Sequence, residues 1–287
     1  MVRGIVPREY RWRTRAWQGD LDAFGEMRYS ALLQLLQEAA TRASADAGFD
    51  PSYYERSGTQ WVVRRTSVLH PLPIRYGDAL DVRTWVADFR RVRSYRDYEV
   101  SVDGRRVAQG RTDWVYVDRH QGRPRSIPEE MQRVLLPDGG TIRSRHSPSV
   151  AAPGSGTTMT SRRVELRDLD GLRHVNNSVY IDYLEEAAMN ASAARGWPFE
   201  RQVAAGVHFR AVAHDLEHLD SALYDDPLSI VTWPIEVSAT SLVRGTVMTR
   251  ENDGCQILRA RSRYDWLDAR CGDHVAMPAE IARALTT

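Results

Sequence analysis

The sequence contains no lysine; all 39 of its basic residues are arginine. A P-loop needs a lysine on the phosphates, and pyridoxal or Schiff-base chemistry needs a lysine amine, so those classes are excluded. A GC-rich coding bias explains the absence more simply than any function does, and the exclusions hold whatever its cause. The chain also lacks an apolar run near the ~20 residues of a membrane span. Its start, MVRGIVPREYRWRTR, has no apolar region of the kind a secretory signal carries. Two cysteines, Cys255 and Cys271, are too few for a disulfide framework and fit a cytoplasmic protein. No G-x-S-x-G occurs, which removes the common serine-hydrolase elbow. With 39 basic and 38 acidic residues, the net charge of +1 supplies no bulk attraction to nucleic acid or membrane.

What is present is enough apolar material, 42%, for a sizeable core. At roughly 150 residues per domain the length suggests about two domains. Self-comparison agrees. Shifted by 148, GDLDAFGEMRYSALLQLLQEAA lies over RDLDGLRHVNNSVYIDYLEEAA, and DALDVRTW lies over DPLSIVTW. At a shift of 150, Asp103-Gly104 meets Asp253-Gly254, Asp118 meets Asp268 and Pro128 meets Pro278. Matches in the same order point to duplication. The boundaries read as a first domain over 1–135, a Gly/Ser/Thr/Pro-rich linker over 136–161 and a second domain over 162–287. In each copy an Arg-rich extended stretch leads to an Asp-Leu-Asp turn, and Ser30 or Ser178 stands in cap position before a helix. The helical stripe is Leu32, Leu35, Leu36, Ala39, Ala40 and Ala43 in one copy, and Tyr180, Tyr183, Leu184, Ala187, Ala188 and Ala191 in the other. Small residues late in each stripe allow a sheet to approach closely. About four strands follow, with Asp-Gly hairpin turns at 103–104 and 253–254. The class is α+β, a helix against an antiparallel sheet, twice over.

The copies differ just before the helix. Where the first reads DAFGEMRY, the second reads DGLRHVNN and gathers Asp170, His174, Asn176 and Asn177. A carboxylate can activate water or attack as the nucleophile, and a histidine can orient the water or move its proton. The helix N-terminus at Ser178, with Asn176 and Asn177, suits an oxyanion. Hydrolysis of an activated acyl group needs this set. The same residues also serve as turn and helix caps, Asp170 and Asn177 above all. An aspartate is ordinarily acidic, with a pKa of about 3.9, so a base needs burial while a nucleophile does not.

RDLDGLRHVNNSVYIDYLEEA resembles the second hot-dog domain of plant and bacterial acyl-acyl-carrier-protein (acyl-ACP) thioesterases, and LLQEAA, WVVRR and YGDALDVRTWV are similar to the first. The resemblance covers nearly the whole chain outside the linker. It implies a tandem (double) hot-dog fold, each long helix wrapped by a curved antiparallel sheet. It also implies hydrolysis of acyl thioesters on acyl carrier protein, releasing a free fatty or polyketide-like acid. Residue by residue, it places the catalytic pair on Asp170 and His174, and the family's intervening asparagine on Leu172. The Glu-Cys pair of the plant enzymes falls near Val212 and Ala213, with His214 and Asp215 two residues on as substitutes. In the first copy Asp22 and Glu26 take the places of the pair and read as a decayed site. Rival readings are an acyl-binding protein without turnover and a hot-dog dehydratase, for which GVHFR around His208 echoes a GHFP-like setting.

Three further signals remain. His214 and His218 have helical i, i+4 spacing but no third ligand, so no metal is assigned, and no cofactor is called for. Arg90, Arg91, Arg93 and Arg96 read as exposed positions of a strand edge, or as a docking face for the acidic carrier protein. Tyr180 and Tyr183 read as core before they read as tunnel lining. Two hot-dog units in one chain permit a monomer or a homodimer.

Overall fold

In the computed structural model, which describes residues 8–136 and 152–286, the sequence repeat becomes two copies of one helix-and-sheet unit. The first unit runs β1 (Glu9–Arg15), α1 (Tyr29–Asp46), α2 (Pro51–Ser57), β2 (Thr59–Leu69), β3 (Ala79–Arg90), β4 (Arg93–Val102), β5 (Arg105–Asp118) and α3 (Glu129–Leu135). The second runs β6 (Thr158–Arg163), α4 (Val179–Ala193), α5 (Phe199–Ala205), β7 (Val207–His218), β8 (Pro227–Val237), β9 (Ser241–Arg250), β10 (Gln256–Asp268) and α6 (Ala279–Thr286). Each makes an antiparallel sheet, in the order β1-β3-β4-β5-β2 and β6-β8-β9-β10-β7. The chain divides into compact units at Met1–His146 and Ser147–Thr287. Strand β6 begins at Thr158, inside the stretch that composition assigns to the linker, and residues 137–151 lie outside the described ones.

The long helices bury the stripes expected of them. Leu32, Leu36, Ala39, Ala40 and Ala43 are buried along α1, where Leu35 is only half-buried and Leu33 is buried, and Tyr180, Tyr183, Leu184, Ala187, Ala188 and Ala191 are buried along α4. The sheet comes close to the bulky part of the stripe where β5 supplies a glycine: a Cβ built on Gly110 would sit 3.2 Å from Leu36 Cδ1 and 3.2 Å from Val68 Cγ2. Register shifts at Val63/Arg65 and Arg263/Tyr264 bend the strands, as bulges do when a sheet curls around a helix.

The repeat's landmark residues are turn-makers. Asp118 accepts from the N–H groups of His120 and Gln121, and Asp268 from those of Arg270 and Cys271. Asp103 and Gly104 both have positive φ, 49° and 76°, and close the two-residue β4–β5 hairpin. The second Asp-Gly pair differs from expectation. Residues 251–255 form a longer loop in which Asp253 is drawn off to bind Arg250, with Nη2 to Oδ2 2.8 Å.

In Asp-Leu-Asp the first aspartate locks the entry to the helix. Asp168, 5% exposed, accepts from Glu165 N–H at 2.8 Å and from the Tyr183 hydroxyl of α4 at 2.6 Å. Burial, and then this bond, push the Tyr183 hydroxyl up from its ordinary pKa. Asp168→Ala strands a fully buried phenol, and we expect a loss of about 2–4 kcal/mol, read as a fall in the urea midpoint.

Two corrections concern the arginine run and the serine caps. Arg90, Arg91 and Arg93 are exposed around the β3–β4 turn, but Arg96 is 6% exposed. Arg93 and Arg96 are an odd number of residues apart, so a strand puts them on opposite faces. Ser30 is the second residue of α1 and buried, not its cap, because the helix already starts at Tyr29. His214 and His218 lie on strand β7, so their spacing is not helical, and among the described residues no cluster of three metal-ligating side chains occurs.

Candidate active site

The loop before α4 is closed at its neck by backbone bonds. Asp170 N–H donates to the His174 carbonyl at 2.9 Å, and Arg173 N–H donates to the Asp170 carbonyl at 2.9 Å. Leu169 bridges Val175 on the far side of the neck. The backbones of Asp170 and His174 are thereby held opposite one another across the neck, and both residues are half-buried. Asp170 Oδ1 accepts from Leu172 N–H at 2.8 Å, so the aspartate does cap the turn, and it does so with one oxygen. Among the described residues, Oδ2 of Asp170, the imidazole of His174 and the side chain of Asn177 have no protein hydrogen-bond partner. Asp170 is close enough for its charge to reach Tyr180 in the first turn of α4. Burial pushes that hydroxyl up to about 12; the bond from Ala222 N–H, 3.0 Å, opposes the rise, and Asp220, Asp226 and Asp170 add to it.

Ser178 stands at the cap position of α4 but its side chain caps nothing, and Asn176 supplies the acceptor there. Asn176 Oδ1 accepts from both the N–H (2.9 Å) and the hydroxyl (2.8 Å) of Ser178. Ser178 itself has helical backbone angles, φ −72° and ψ −31°, and makes no side-chain cap. Both donors of Ser178 thus serve Asn176, and Asn177 is the neighbouring residue whose amide is uncommitted.

Arg173 carries a strain that the first copy avoids. Its φ is 64°, while the corresponding residue of the first copy is Gly25 at φ 75°. A left-handed conformation costs a residue with a Cβ about 1–2 kcal/mol, partly offset in glycine by its unfolded-state entropy. Arg173→Gly is therefore expected to stabilise the second unit by about 0.5–1 kcal/mol in chemical denaturation, and to leave the neck of the loop closed.

The first copy uses the same loop structurally. Asp22 Oδ1 accepts from Phe24 N–H (2.8 Å) and Glu26 N–H (3.0 Å). Glu26 stands where His174 would and faces Arg75, Oε1 to Nη2 3.5 Å.

On β7 the side chains alternate. Val212 is buried and apolar; His214 is 2% exposed, and Asp215 lies on the opposite face. His214 Nδ1 is 2.8 Å from Ser262 Oγ, and its Nε2 is 3.6 Å from Glu185 Oε1 on α4. Glu185 is six residues beyond the first residue of α4, about 9 Å along the axis. His214 therefore belongs to the interior beneath α4. Glu185 and Ser262 are polar partners that the sequence pattern does not single out. His208, also on β7, is buried, and burial, with the Arg210 charge adding, holds its imidazole down to about 3. The Cys255 thiol is bonded to Asp220 Oδ2 at 3.2 Å, which pushes it up and keeps it protonated.

Comparison with known proteins agrees with this architecture. Residues 8–135 match the acyl-ACP thioesterase N-terminal domain, and residues 164–285 match the thioesterase-like superfamily. An oleoyl thioesterase structure from Lactobacillus plantarum superposes with a TM-score of 0.76 at 17% identity, over 90% of this chain and 96% of that one. The 12:0-ACP thioesterase of Umbellularia californica gives 0.69 at 19% identity, over 90% and 93%. Among curated proteins, the chloroplastic acyl-[acyl-carrier-protein] hydrolase FATB2 of Cuphea viscosissima is 26% identical over 162 residues, 53% of this chain and 39% of that protein. The chloroplastic oleoyl-acyl carrier protein thioesterase 1 of Arabidopsis thaliana is 22% identical over 176 residues, 54% of this chain and 48% of that protein. In these alignments the chain spans less than half the length of either relative. The fold is that of a double hot-dog protein of the thioesterase type. Within that class, the first unit matches the acyl-ACP thioesterase N-terminal domain and the second the thioesterase-like superfamily. Among the described residues no helix is long and apolar enough to cross a membrane.

Proposed function

We propose that the protein hydrolyses acyl thioesters carried on acyl carrier protein and releases the free acid, fatty or polyketide-like. The observation that carries this reading is the 170–177 loop. It carries a carboxylate oxygen, an imidazole and an amide within eight residues before α4, each without a protein partner among the described residues. Asp170 Oδ2 takes a proton from water as the water oxygen attacks the thioester carbon. Asn177 donates to the oxyanion. The carbonyl re-forms, the C–S bond breaks, and the departing thiolate is protonated at the pantetheine sulfur by way of His174. A cysteine nucleophile has no support here, since Cys255 is held as the thiol and the resemblance puts the plant Glu-Cys pair near Val212 and Ala213, which have neither chemistry. The dehydratase reading loses support from His208, which burial keeps neutral.

The exposed arginines Arg90, Arg91 and Arg93 at the β3–β4 turn form the docking face for the acidic carrier protein, without Arg96. The free thiols Cys255 and Cys271 fit a reducing compartment such as the cytoplasm. A second reading, acyl binding without turnover, rests on Leu172 and Val212, which put hydrocarbon where the resembling enzymes carry polar groups.

The test is incubation with matched acyl-ACP and acyl-CoA thioesters, following free thiol and product mass. Thiol release from acyl-ACP, with a KM raised in Arg91→Glu/Arg93→Glu, is the expected result. Tight binding without thiol release supports the second reading, and an enoyl product supports the dehydratase.

A further inference from the structure

We propose that Tyr180 and Arg250 are positioning residues for the reaction. Together they grip the peptide between Ser221 and Ala222, and through it they fix the loop that carries Asp170, His174 and Asn177. This role rests on the hydrolysis proposed above and adds to it two residues from outside the loop.

Val175 stands between His174 and Asn176, and its N–H donates to the Ala222 carbonyl at 2.9 Å. The backbone beside the imidazole is therefore only as well placed as residues 219–226, the loop that joins β7 to β8. Two side chains hold that loop. The hydroxyl of Tyr180, in the first turn of α4, accepts from Ala222 N–H at 3.0 Å. Arg250, at the end of β9, donates from Nη1 to the Ser221 carbonyl at 2.9 Å. That N–H and that carbonyl belong to one planar peptide unit, so bonds at both ends fix its orientation. The clamps are themselves braced. Tyr180 is 2% exposed, and its ring meets that of His218 edge to face, with centroids 5.6 Å apart. Arg250 Nη2 is bonded to Asp253 Oδ2 at 2.8 Å and to Asp220 Oδ2 at 3.3 Å.

The first copy has the same frame without the grip. Met27 N–H donates to the Ile74 carbonyl at 2.8 Å, as Val175 does to Ala222. Asp78 Oδ2 accepts from Arg75 N–H at 2.8 Å, as Asp226 Oδ2 does from Leu223 N–H. At the shift of 148, however, Leu32 stands in the place of Tyr180. Val102 opposes Leu80 on the neighbouring strand as Arg250 opposes Leu228. Neither of those side chains can hydrogen-bond. A leucine thus suffices for packing at this point of the fold, and a buried hydroxyl costs desolvation unless it is bonded. Only the copy with the Asp170–His174 pair carries both clamps. Reaction geometry supplies the reason, since a displacement of about 1 Å costs a reacting group about a hundredfold in rate.

Tyr180→Phe keeps the ring and removes the bond. We expect kcat for acyl-ACP hydrolysis to fall by at least about tenfold, with KM changed by less than about twofold. Arg250→Met should act in the same direction from the other end of the peptide, and it decides the matter if Tyr180→Phe fails to fold. Ser192→Ala also removes a buried bond of α4, to the Trp197 carbonyl at 3.0 Å, but twelve residues further along. It should leave kcat unchanged. In an Asp170→Asn background, Tyr180→Phe should lower kcat by less than about twofold, because residues that act as one unit are not additive. A readout without turnover is amide hydrogen exchange. Tyr180→Phe should speed exchange at Val175 and Ala222 by at least about tenfold while the middle of α4 is unaltered. Native kcat in folded Tyr180→Phe, unchanged exchange at Val175, or a full tenfold loss on top of Asp170→Asn overturns the proposal. Full activity of Asp170→Asn alone would instead remove the hydrolysis reading, and the exchange rates would still show whether the grip holds the loop.

Discussion

Asp170→Asn is expected to lower kcat/KM for thioester hydrolysis by at least about a hundredfold, the lower end of what a positioned base contributes. The substitution separates two jobs of one side chain. Asparagine keeps the Oδ1 that accepts from Leu172 N–H, so the turn and the neck bonds between 170 and 174 persist. It removes the charge and basicity of the second oxygen, on which the reaction depends. Stability should change by no more than about 0.5 kcal/mol. Asp170→Ala loses the turn bond as well and should cost both activity and stability. His174→Ala should follow Asp170→Asn in activity, since no protein hydrogen bond is lost with the ring. Full thiol release by a folded Asp170→Asn would show that the reaction is run from elsewhere, with Glu185 and His214 the first place to look.

Much of the fold was legible because duplication prints the same grammar twice. Helical stripes, strand runs and turn residues recur at a fixed shift, and local rules suffice for them. Asp118 and Asp268 cap equivalent turns, and the stripes of α1 and α4 are buried as their spacing requires. What was not legible depends on register or on choices between neighbouring caps. Ser178 does precede the helix at its cap position, yet it caps nothing, because Asn176 two residues earlier takes both of that serine's donors on its Oδ1. Arg96 looked exposed because it closes an arginine run, yet strand alternation turns it inward. The bonded pair His214 and Ser262 lies on two strands and is separated by 48 residues of sequence. No local pattern announces it. The Asp170–His174 pair could be singled out because its members lie in one loop and differ from their counterparts Asp22 and Glu26 within a matching frame.

His208 gives the largest expected effect of pH on stability. Its pKa in the folded chain is held at about 3 by burial, with Arg210 adding, against 6.5 for the free side chain. Below pH 6.5 the unfolded chain takes up a proton that the folded chain refuses until about 3, so in this window the unfolded state binds more protons. Stability must then rise with pH there. The contribution is fully present above the unfolded value and is lost as the pH falls toward the folded one. At about 1.4 kcal/mol per unit, acidification to pH 5 should remove about 2 kcal/mol through this group alone, near 1 M in urea midpoint for an ordinary slope. His208→Gln cannot titrate, so its midpoint should fall by that much less between pH 7.5 and 5. Other histidines and the carboxylates titrate in both proteins and cancel in the difference. Identical slopes for the two proteins would mean that the imidazole exchanges protons freely inside β7. In that case His208 would again be a group able to carry a proton, which is what the dehydratase reading requires of it.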